Sequence, residues 1–291
     1  MADISAKITK KSLAAKRKSA IKTIKAQARE KIREINIQYA ENPRRSQSKE
    51  AAREQSRLLK LQQKNARISY NYRQPRQYST GEELFNSISH GIGAGLGVAA
   101  IVLLVLRAVM YAPAGMQAYY VFTFTLFGAS LFVMYMVSTL FHSLTPYGAR
   151  KVFSILDHIG MYLLIGGTFT PFVITCIPGP TGIVLFIAGW ALIVVLSTLY
   201  AVFGDRMRDF ASFTYLILGW LTVIAFAIYP MGHSLPKISE VFLITGAISY
   251  TVGSLFDAIR NYKWTHSICH VFTLFGSILH FFSVYYSIGL N

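Results

Sequence analysis

The amino-acid sequence predicts an all-α integral membrane protein with seven transmembrane helices, and two observations lead to this fold class. Of its 291 residues, 53% are apolar, and the mean hydropathy of +0.40 is too high for an ordinary soluble domain of this length. The apolar residues also gather in seven runs, each about as long as a helix that crosses ~30 Å of hydrocarbon. A membrane β-barrel is disfavoured, because its strands would alternate in polarity and these runs do not.

Charge divides the chain into two unlike parts. Residues 1–80 hold 21 of the 29 Lys and Arg residues and have a net charge of +15, whereas residues 81–291 have a net charge of +1. We therefore predict a basic polar tail over 1–80, helical or partly disordered, and a seven-helix membrane domain over 81–291. A break at "ENPRRSQS" separates two tail helices, the second starting at about Lys49. Four tail isoleucines recur at helical spacing: Ile21, Ile24, Ile32 and Ile35.

The tail has two open interpretations. It is either a solvated cytoplasmic extension or a segment that binds anionic lipid headgroups, to which each basic residue near the surface adds on the order of 1 kcal/mol. Apart from its tyrosines, the tail lacks the interleaved aromatic residues of a single-strand binder. No specific nucleic-acid partner is therefore predicted.

The seven apolar runs are predicted to be helices, since backbone groups in lipid must pair within their own segment. Glycines in "GIGAGLG" and "IGGTFTP" predict close helix packing, and Pro171 predicts a kink in the third run. The runs cover approximately residues 84–107, 118–142, 152–176, 181–203, 211–230, 238–258 and 267–289.

Basic residues in the connections predict the orientation. The even-numbered connections carry paired cations: Arg150 and Lys151, Arg206 and Arg208, Arg260 and Lys263. The odd-numbered connections carry only Arg107, at a helix edge, and Lys237. By the positive-inside rule the even connections and the tail lie in the cytoplasm, so the amino terminus is cytoplasmic and Asn291 lies outside.

Ionisable residues within membrane spans are costly, so each is a functional candidate. His142 ends the second run, Asp157 lies early in the third, and His266 and His270 open the seventh. All four are predicted at the cytoplasmic end. Four residues of the first run share that depth: Glu82, Glu83, Asn86 and His90.

The spacing of these residues indicates a metal site. His266 and His270 are four residues apart, so both imidazoles face one way. With His142 they would supply three nitrogens to a tetrahedral zinc ion whose fourth position is open. Asp157 would then either hold the zinc water as a hydrogen-bond acceptor or deprotonate it as a general base, and Ser138 would steady that water or a developing oxyanion.

Structural alternatives remain open at this point. A lone intramembrane histidine is usually a hydrogen-bonded packing residue, and this interpretation is favoured for His158, His233 and His280. For Glu82, Glu83, Asn86 and His90, helix capping or interhelical bonding stands beside catalysis. Cys269 is interpreted as a packing thiol, and its predicted distance from Cys176 excludes a disulfide.

Together these motifs resemble the hemolysin III proteins, members of the progestin and adiponectin receptor superfamily, which is grouped with the alkaline ceramidases. The resemblance rests on "EELFNSISHGIG", "STLFH", "LDHIGMYLLIGGTFTPF" and "HSICHVFTLFGSILH" and covers residues 82–285. It implies a seven-helix bundle with a cytoplasmic amino terminus and a zinc ion held by His142, His266 and His270. It also implies roles for Ser138 and Asp157, and a place in the bacterial inner (plasma) membrane.

Several functions are compatible with these expectations. The first is zinc-dependent hydrolysis of lipid amides, and the second is membrane homeostasis or sensing with a structural zinc ion. A pore-forming cytolysin is disfavoured because no continuous polar stripe crosses the bilayer. A transporter would require an inverted repeat that is not visible, and a retinal protein would require a lysine inside a helix.

Overall fold

A computed structural model describes residues 2–71, 78–177, 179–228, 235–259 and 262–289. Within these ranges every regular element is helical, as the sequence predicts. The helices are α1 (Ala2–Gln38), α2 (Pro43–Asn71), α3 (Thr80–Tyr111), α4 (Gln117–Ser143), α5 (Tyr147–Thr175), α6 (Pro180–Phe203), α7 (Arg208–Ile228), α8 (Lys237–Ala258) and α9 (Thr265–Tyr285), with a short 3₁₀ helix, Gly204–Met207, between α6 and α7. They form two compact units, Met1–Asn71 and Tyr72–Asn291.

The first unit consists of α1 and α2. The two helices are separated at the predicted break, where the Asn42 side chain accepts a hydrogen bond from the Arg45 amide (3.2 Å) and caps the second helix. The second helix starts at Pro43, earlier than the sequence predicts, because proline favours the first turn of a helix. An ion pair between Arg33 and Glu50, at 3.2 Å, joins the two helices. The four tail isoleucines lie exposed on α1.

In the second unit, the described residues form one helix for each predicted apolar run. Six of these helices are long and apolar enough to cross a membrane: α3, α4, α5, α6, α8 and α9. The fifth run corresponds to α7, and its crossing of the membrane, which completes the count of seven, stays a prediction. The orientation also stays a prediction, and Asn291 and His233 lie outside the described residues.

Glycines set the closest helix contacts. A methyl group on Gly97 of α3 would lie 2.9 Å from the Phe132 Cα atom of α4, and one on Gly128 would lie 3.0 Å from the Ile101 Cα atom. Both distances are too short for carbon atoms, so the backbones of α3 and α4 touch only because side chains are absent. This contact is the one that "GIGAGLG" predicts. Pro171 lies inside α5.

Within the second unit, each helix from α3 to α9 packs against the next, and α9 also contacts α3 and so closes the bundle. The core between them is built from large apolar side chains such as Leu104, Phe124, Phe127 and Val284, all fully buried. On α6, by contrast, Val184, Val194 and Val202 are exposed. Apolar side chains on the outer surface are expected of a bundle surrounded by lipid.

The bundle has two ends, for which we use fixed names. Helices α3, α5, α7 and α9 begin at the proximal end, and α4, α6 and α8 end there. The opposite end is the distal end. The predicted site residues of α3, α4 and α9 all lie at the proximal end.

At the distal end, Arg107 of α3 holds the last turn of α9 and the residues after it. Its guanidinium group donates to the carbonyls of Tyr285 (3.2 Å), Ile288 (2.8 Å) and Gly289 (3.2 Å). The same group lies 4.6 Å from the centre of the Tyr285 ring. A cation at a helix carboxyl terminus satisfies carbonyls that lack partners within the helix.

Candidate metal centre

Three histidines meet at the proximal end. His142 lies in the last turn of α4, and His266 and His270 lie in the first turns of α9. One nitrogen from each ring lies within 4.8 Å of the other two, and the Nε2 atoms of His266 and His270 are 2.9 Å apart. The structure thus brings together the three residues for which the sequence predicts a shared ion.

His142 is oriented by an acidic residue of α3. Its Nδ1 atom lies 2.6 Å from a carboxylate oxygen of Glu83, and Arg150 pairs with the other oxygen of the same carboxylate. Because the arginine keeps Glu83 anionic, the carboxylate accepts and the imidazole donates its Nδ1 proton. The Nε2 lone pair of His142 is therefore available to a cation.

His266 is oriented in the same way from α8. Its Nδ1 atom lies 2.7 Å from the Asp257 carboxylate, which leaves Nε2 facing His270. On the other side, the Tyr78 ring stacks on His266, with ring centres 4.7 Å apart and planes at 19°. The ring centre of Tyr78 is also 5.5 Å from that of His142, so the tyrosine covers two of the three histidines.

The geometry fits a metal ion. The Nε2 atom of His142 is buried and has no hydrogen-bond partner among the described residues. Two imidazole nitrogens 2.9 Å apart require a proton or a cation between them; around a tetrahedral zinc ion the separation would be about 3.3 Å. Neutral imidazoles whose second nitrogens bond carboxylates are the usual arrangement of zinc-binding histidines. His142 and His266 have this arrangement, and with His270 they would leave a fourth position open on a tetrahedral ion.

The start of α9 is fixed by Glu82. One carboxylate oxygen accepts from the backbone amide of Trp264 (2.7 Å), and the other accepts from the amide (2.9 Å) and hydroxyl (2.7 Å) of Ser79. Trp264 has a φ of +68°, the only positive value at a non-glycine position among the described residues. Glu82 therefore caps α3 and also holds an unfavourable backbone conformation one residue before α9.

A cavity of about 150 Å³ adjoins two of the three histidines. Its wall includes His266 and His270, and also the two predicted catalytic residues, Asp157 and Ser138. The Ser138 hydroxyl is buried and has no partner among the described residues. The structure therefore places both predicted catalytic residues on the cavity that His266 and His270 line.

Other polar residues of the spans have packing contacts. The Nδ1 atom of His158 lies 3.0 Å from the Ser154 carbonyl, and the Nε2 atom of His280 lies 3.2 Å from the Leu243 carbonyl. Cys269 is 3.9 Å from the Thr273 hydroxyl, and within the described residues neither Cys176 nor Cys269 forms a disulfide. These contacts agree with the packing roles expected for His158, His280 and Cys269.

Sequence reasoning missed two residues of this centre. Asp257 was not singled out, although an acidic residue near the end of an apolar run was a usable signal. Its contact with His266 depends on the turn between α8 and α9, which residue spacing does not reveal. Tyr78 falls within the predicted basic tail, and no pattern in the sequence marks it as a neighbour of the histidines.

Comparison with known proteins covers the same part of the chain. The family model described as "Haemolysin-III related" matches residues 78–281. "Hemolysin-3" of Bacillus cereus is 37% identical over 203 residues, which are 70% of this chain and 90% of that protein. "Hemolysin-3 homolog" of Bacillus subtilis (strain 168) is 35% identical over 207 residues, 71% of this chain and 94% of the relative. The match to the family model begins at Tyr78, so residues 1–77 of the basic tail lie outside it.

Proposed function

The chain belongs to the haemolysin III-related family and is an integral membrane protein of the bacterial plasma membrane. From this premise we propose that it binds zinc through His142, His266 and His270 and hydrolyses amide bonds of membrane lipids. The observation that carries the proposal is the buried, unpartnered Nε2 atom of His142, held by Glu83 beside the other two imidazoles. The predicted acid and hydroxyl share the adjoining cavity.

The reaction would divide between the metal and two side chains. A bound zinc ion supplies Lewis acidity and a water acidic enough to react near neutral pH. Asp157 takes a proton from the attacking water and later delivers it to the leaving amine. Ser138 donates its hydroxyl proton in a hydrogen bond to the amide oxygen as negative charge develops there. The water oxygen bonds the carbonyl carbon, the carbon–nitrogen bond breaks, and a carboxylate and an amine result.

The cavity wall supports a lipid substrate. Beyond the histidines the cavity is lined mainly by apolar residues of α5, α7 and α8, including Met161, Leu164, Ile165, Leu216, Leu243 and Ala247. An aliphatic chain would lie against such a wall, because its burial there removes apolar surface from water. A polar group at one end and an apolar wall at the other suit a molecule with one amide and a long chain.

The test uses purified protein in detergent–lipid micelles. Elemental analysis should find zinc in the parent protein, and ceramides or other N-acyl lipids should be cleaved to free fatty acid and amine. Asp157→Asn should retain the zinc and lose the turnover. Thr222→Val, a change elsewhere on the cavity wall, serves as the matched control and should remain active. Zinc-loaded parent protein that leaves every acyl amide intact would contradict hydrolysis.

A second candidate, a membrane sensor with structural zinc, is favoured by the helices involved. The three histidines and their carboxylate partners come from α3, α4, α8 and α9, so one ion would fasten four helices. In that case a zinc chelator should lower the thermal stability of the parent strongly, and Asp157→Asn should change nothing measurable. The relatives' name, "Hemolysin-3", keeps a pore-forming cytolysin as a third candidate, for which dye-loaded liposomes should leak on reconstitution.

For the basic tail we propose contact with anionic lipid headgroups. The described part of α1 and α2 exposes most of its side chains, and basic residues near an anionic surface are attracted to it. A spin label on Ile35→Cys should lose mobility in nanodiscs that contain phosphatidylglycerol and regain it in high salt. Equal mobility in phosphatidylcholine and phosphatidylglycerol discs would contradict this contact.

A further inference from the structure

Two buried polar side chains of α3 lie beside the metal centre and make no ordinary hydrogen bond to a described residue. Asn86 is 0% exposed and His90, one helical turn later, is 2% exposed. The amide atoms of Asn86 bond no described residue, and the ring nitrogens of His90 make no hydrogen bond of ordinary geometry to the described residues, only a looser contact with the His270 backbone. Buried polar groups are nearly always hydrogen-bonded, and buried water is the usual partner where protein atoms do not serve.

Among the three histidines, His270 is held differently from the other two. Glu83 bonds Nδ1 of His142 and Asp257 bonds Nδ1 of His266, whereas Nδ1 of His270 is buried without a partner among the described residues. Histidines that bind metal nearly always donate their second N–H to a carboxylate, a carbonyl or a water. His270 therefore requires an acceptor that the protein atoms around it do not supply.

His90 lies against that ring. The imidazoles of His90 and His270 stack with centres 3.7 Å apart and planes at 22°. Stacked rings at this separation bring their edges close enough for one water to bond a nitrogen of each. Asn86 precedes His90 by four residues and so lies on the same face of α3.

We propose that Asn86 and His90 hold a buried water that accepts the Nδ1 hydrogen bond of His270 and so orients the third ligand. The two residues are positioning residues that act through His270. This inference rests on the proposed metal centre and goes beyond it, because it assigns a function to two side chains that are not among the three ligands.

The experiment replaces each polar group without changing its shape. Asn86→Leu keeps the size of the side chain, His90→Phe keeps the stacked ring, and both remove the groups that would bond the water. Asn86→Ser retains a hydroxyl and leaves room for water. Zinc affinity is measured by competition with a chelator, and the melting temperature is measured on zinc-free protein.

We expect Asn86→Leu and His90→Phe to weaken zinc binding about 10- to 100-fold, the usual effect of losing such an outer partner. Asn86→Ser should bind zinc within a few-fold of the parent. A different result would contradict the inference. If Asn86→Leu melts at a higher temperature than the parent and binds zinc as tightly, Asn86 is an unpaired packing residue and holds no water.

Two comparisons keep the outcomes separate. Ser239→Ala removes a buried 2.7 Å hydrogen bond to the Ser283 carbonyl at the distal end, so it should lower the melting temperature and leave zinc affinity unchanged. A loss of zinc affinity in this variant as well would mean that general destabilisation explains the others. Parent protein that binds no zinc would overturn the metal centre itself, whereas tight binding by parent and variants alike would overturn only the water.

Discussion

Polar side chains link α9 to neighbouring helices at both ends of the bundle, but the two ends differ in how many of these side chains have hydrogen-bond partners. At the distal end Arg107 donates to three carbonyls around the end of α9, and Ser239 and Ser283 bond each other's carbonyls at 2.7 Å. At the proximal end Glu82 makes one comparable link, to Trp264. Around it, the residues that keep at least one buried polar atom without a partner among the described residues include Asn86, His90, Ser138, His142, Ser267 and His270.

This difference separates stability from function. Polar groups with satisfied hydrogen bonds stabilise a buried helix contact, and unsatisfied ones destabilise it unless a ligand or water completes them. Among the described residues, the distal links named above are made by protein atoms alone. The proximal end keeps buried polar atoms that no described residue satisfies, and its three histidines could hold a metal ion.

The largest expected effect is the loss of metal from the proximal end. His142→Ala removes one of three ligands, and the zinc content of the purified protein should fall to background by elemental analysis. His158→Phe is the matched control, because it keeps the 4.6 Å stacking on Tyr200 and removes a histidine outside the cluster. If both variants retained zinc, His142 would not be a ligand, and the proposed difference between the proximal and distal ends would be wrong.

The next effect concerns the partner of His266. Asp257→Asn removes the charge of the carboxylate that orients Nδ1 of this histidine, so zinc affinity should fall about 10- to 100-fold. Asp209→Asn replaces an exposed acidic residue in the first turn of α7 and should leave the affinity unchanged. Equal affinities in the two variants, measured by chelator competition, would remove Asp257 from the centre.

A third change tests the distal end. Arg107→Met removes charged hydrogen bonds to three carbonyls and should lower the free energy of unfolding by roughly 1.5–3 kcal/mol, observed as a lower melting temperature. The zinc affinity of the folded variant should not change, because the arginine lies at the opposite end of α3. A parallel loss of zinc affinity would show that the two ends are coupled through α9.

The smallest effect is expected at Tyr78. Tyr78→Ala uncovers His266 and His142, so a chelator should remove the metal a few-fold faster while the equilibrium affinity changes little. Tyr78→Phe keeps the stacked ring and should release metal at the parent rate. Identical release rates in all three proteins would mean that metal leaves by another path.

The sequence predicts those features that depend on spacing along one helix. Helical runs of sufficient length, glycine-rich segments that allow close packing, and the shared face of His266 and His270 all follow from residue spacing along one helix. Residue spacing also gives His142 and Asp157 a common depth. The structure places Asp157 on the same cavity as His266, but its role as a base stays a prediction.

Features that depend on contacts between helices could not be predicted in this way. The choice of Glu83 for His142, of Asp257 for His266 and of His90 for His270 depends on the rotation of each helix about its axis. Tyr78 depends on the path of a non-helical segment. Neither the rotation of a helix nor the path of this segment can be derived from a single sequence, because both depend on how the backbones pack.

The left-handed backbone at Trp264 has one further implication for the cavity. A helix that starts from a fixed peptide has no freedom to turn about its own axis, and residues 266, 270, 273, 277 and 280 of α9 follow that start in succession. A single torsion angle, secured by Glu82, thus selects which side chains face inward along about 20 Å of helix. If this torsion angle changed to a right-handed value, the five side chains would rotate together about the helix axis.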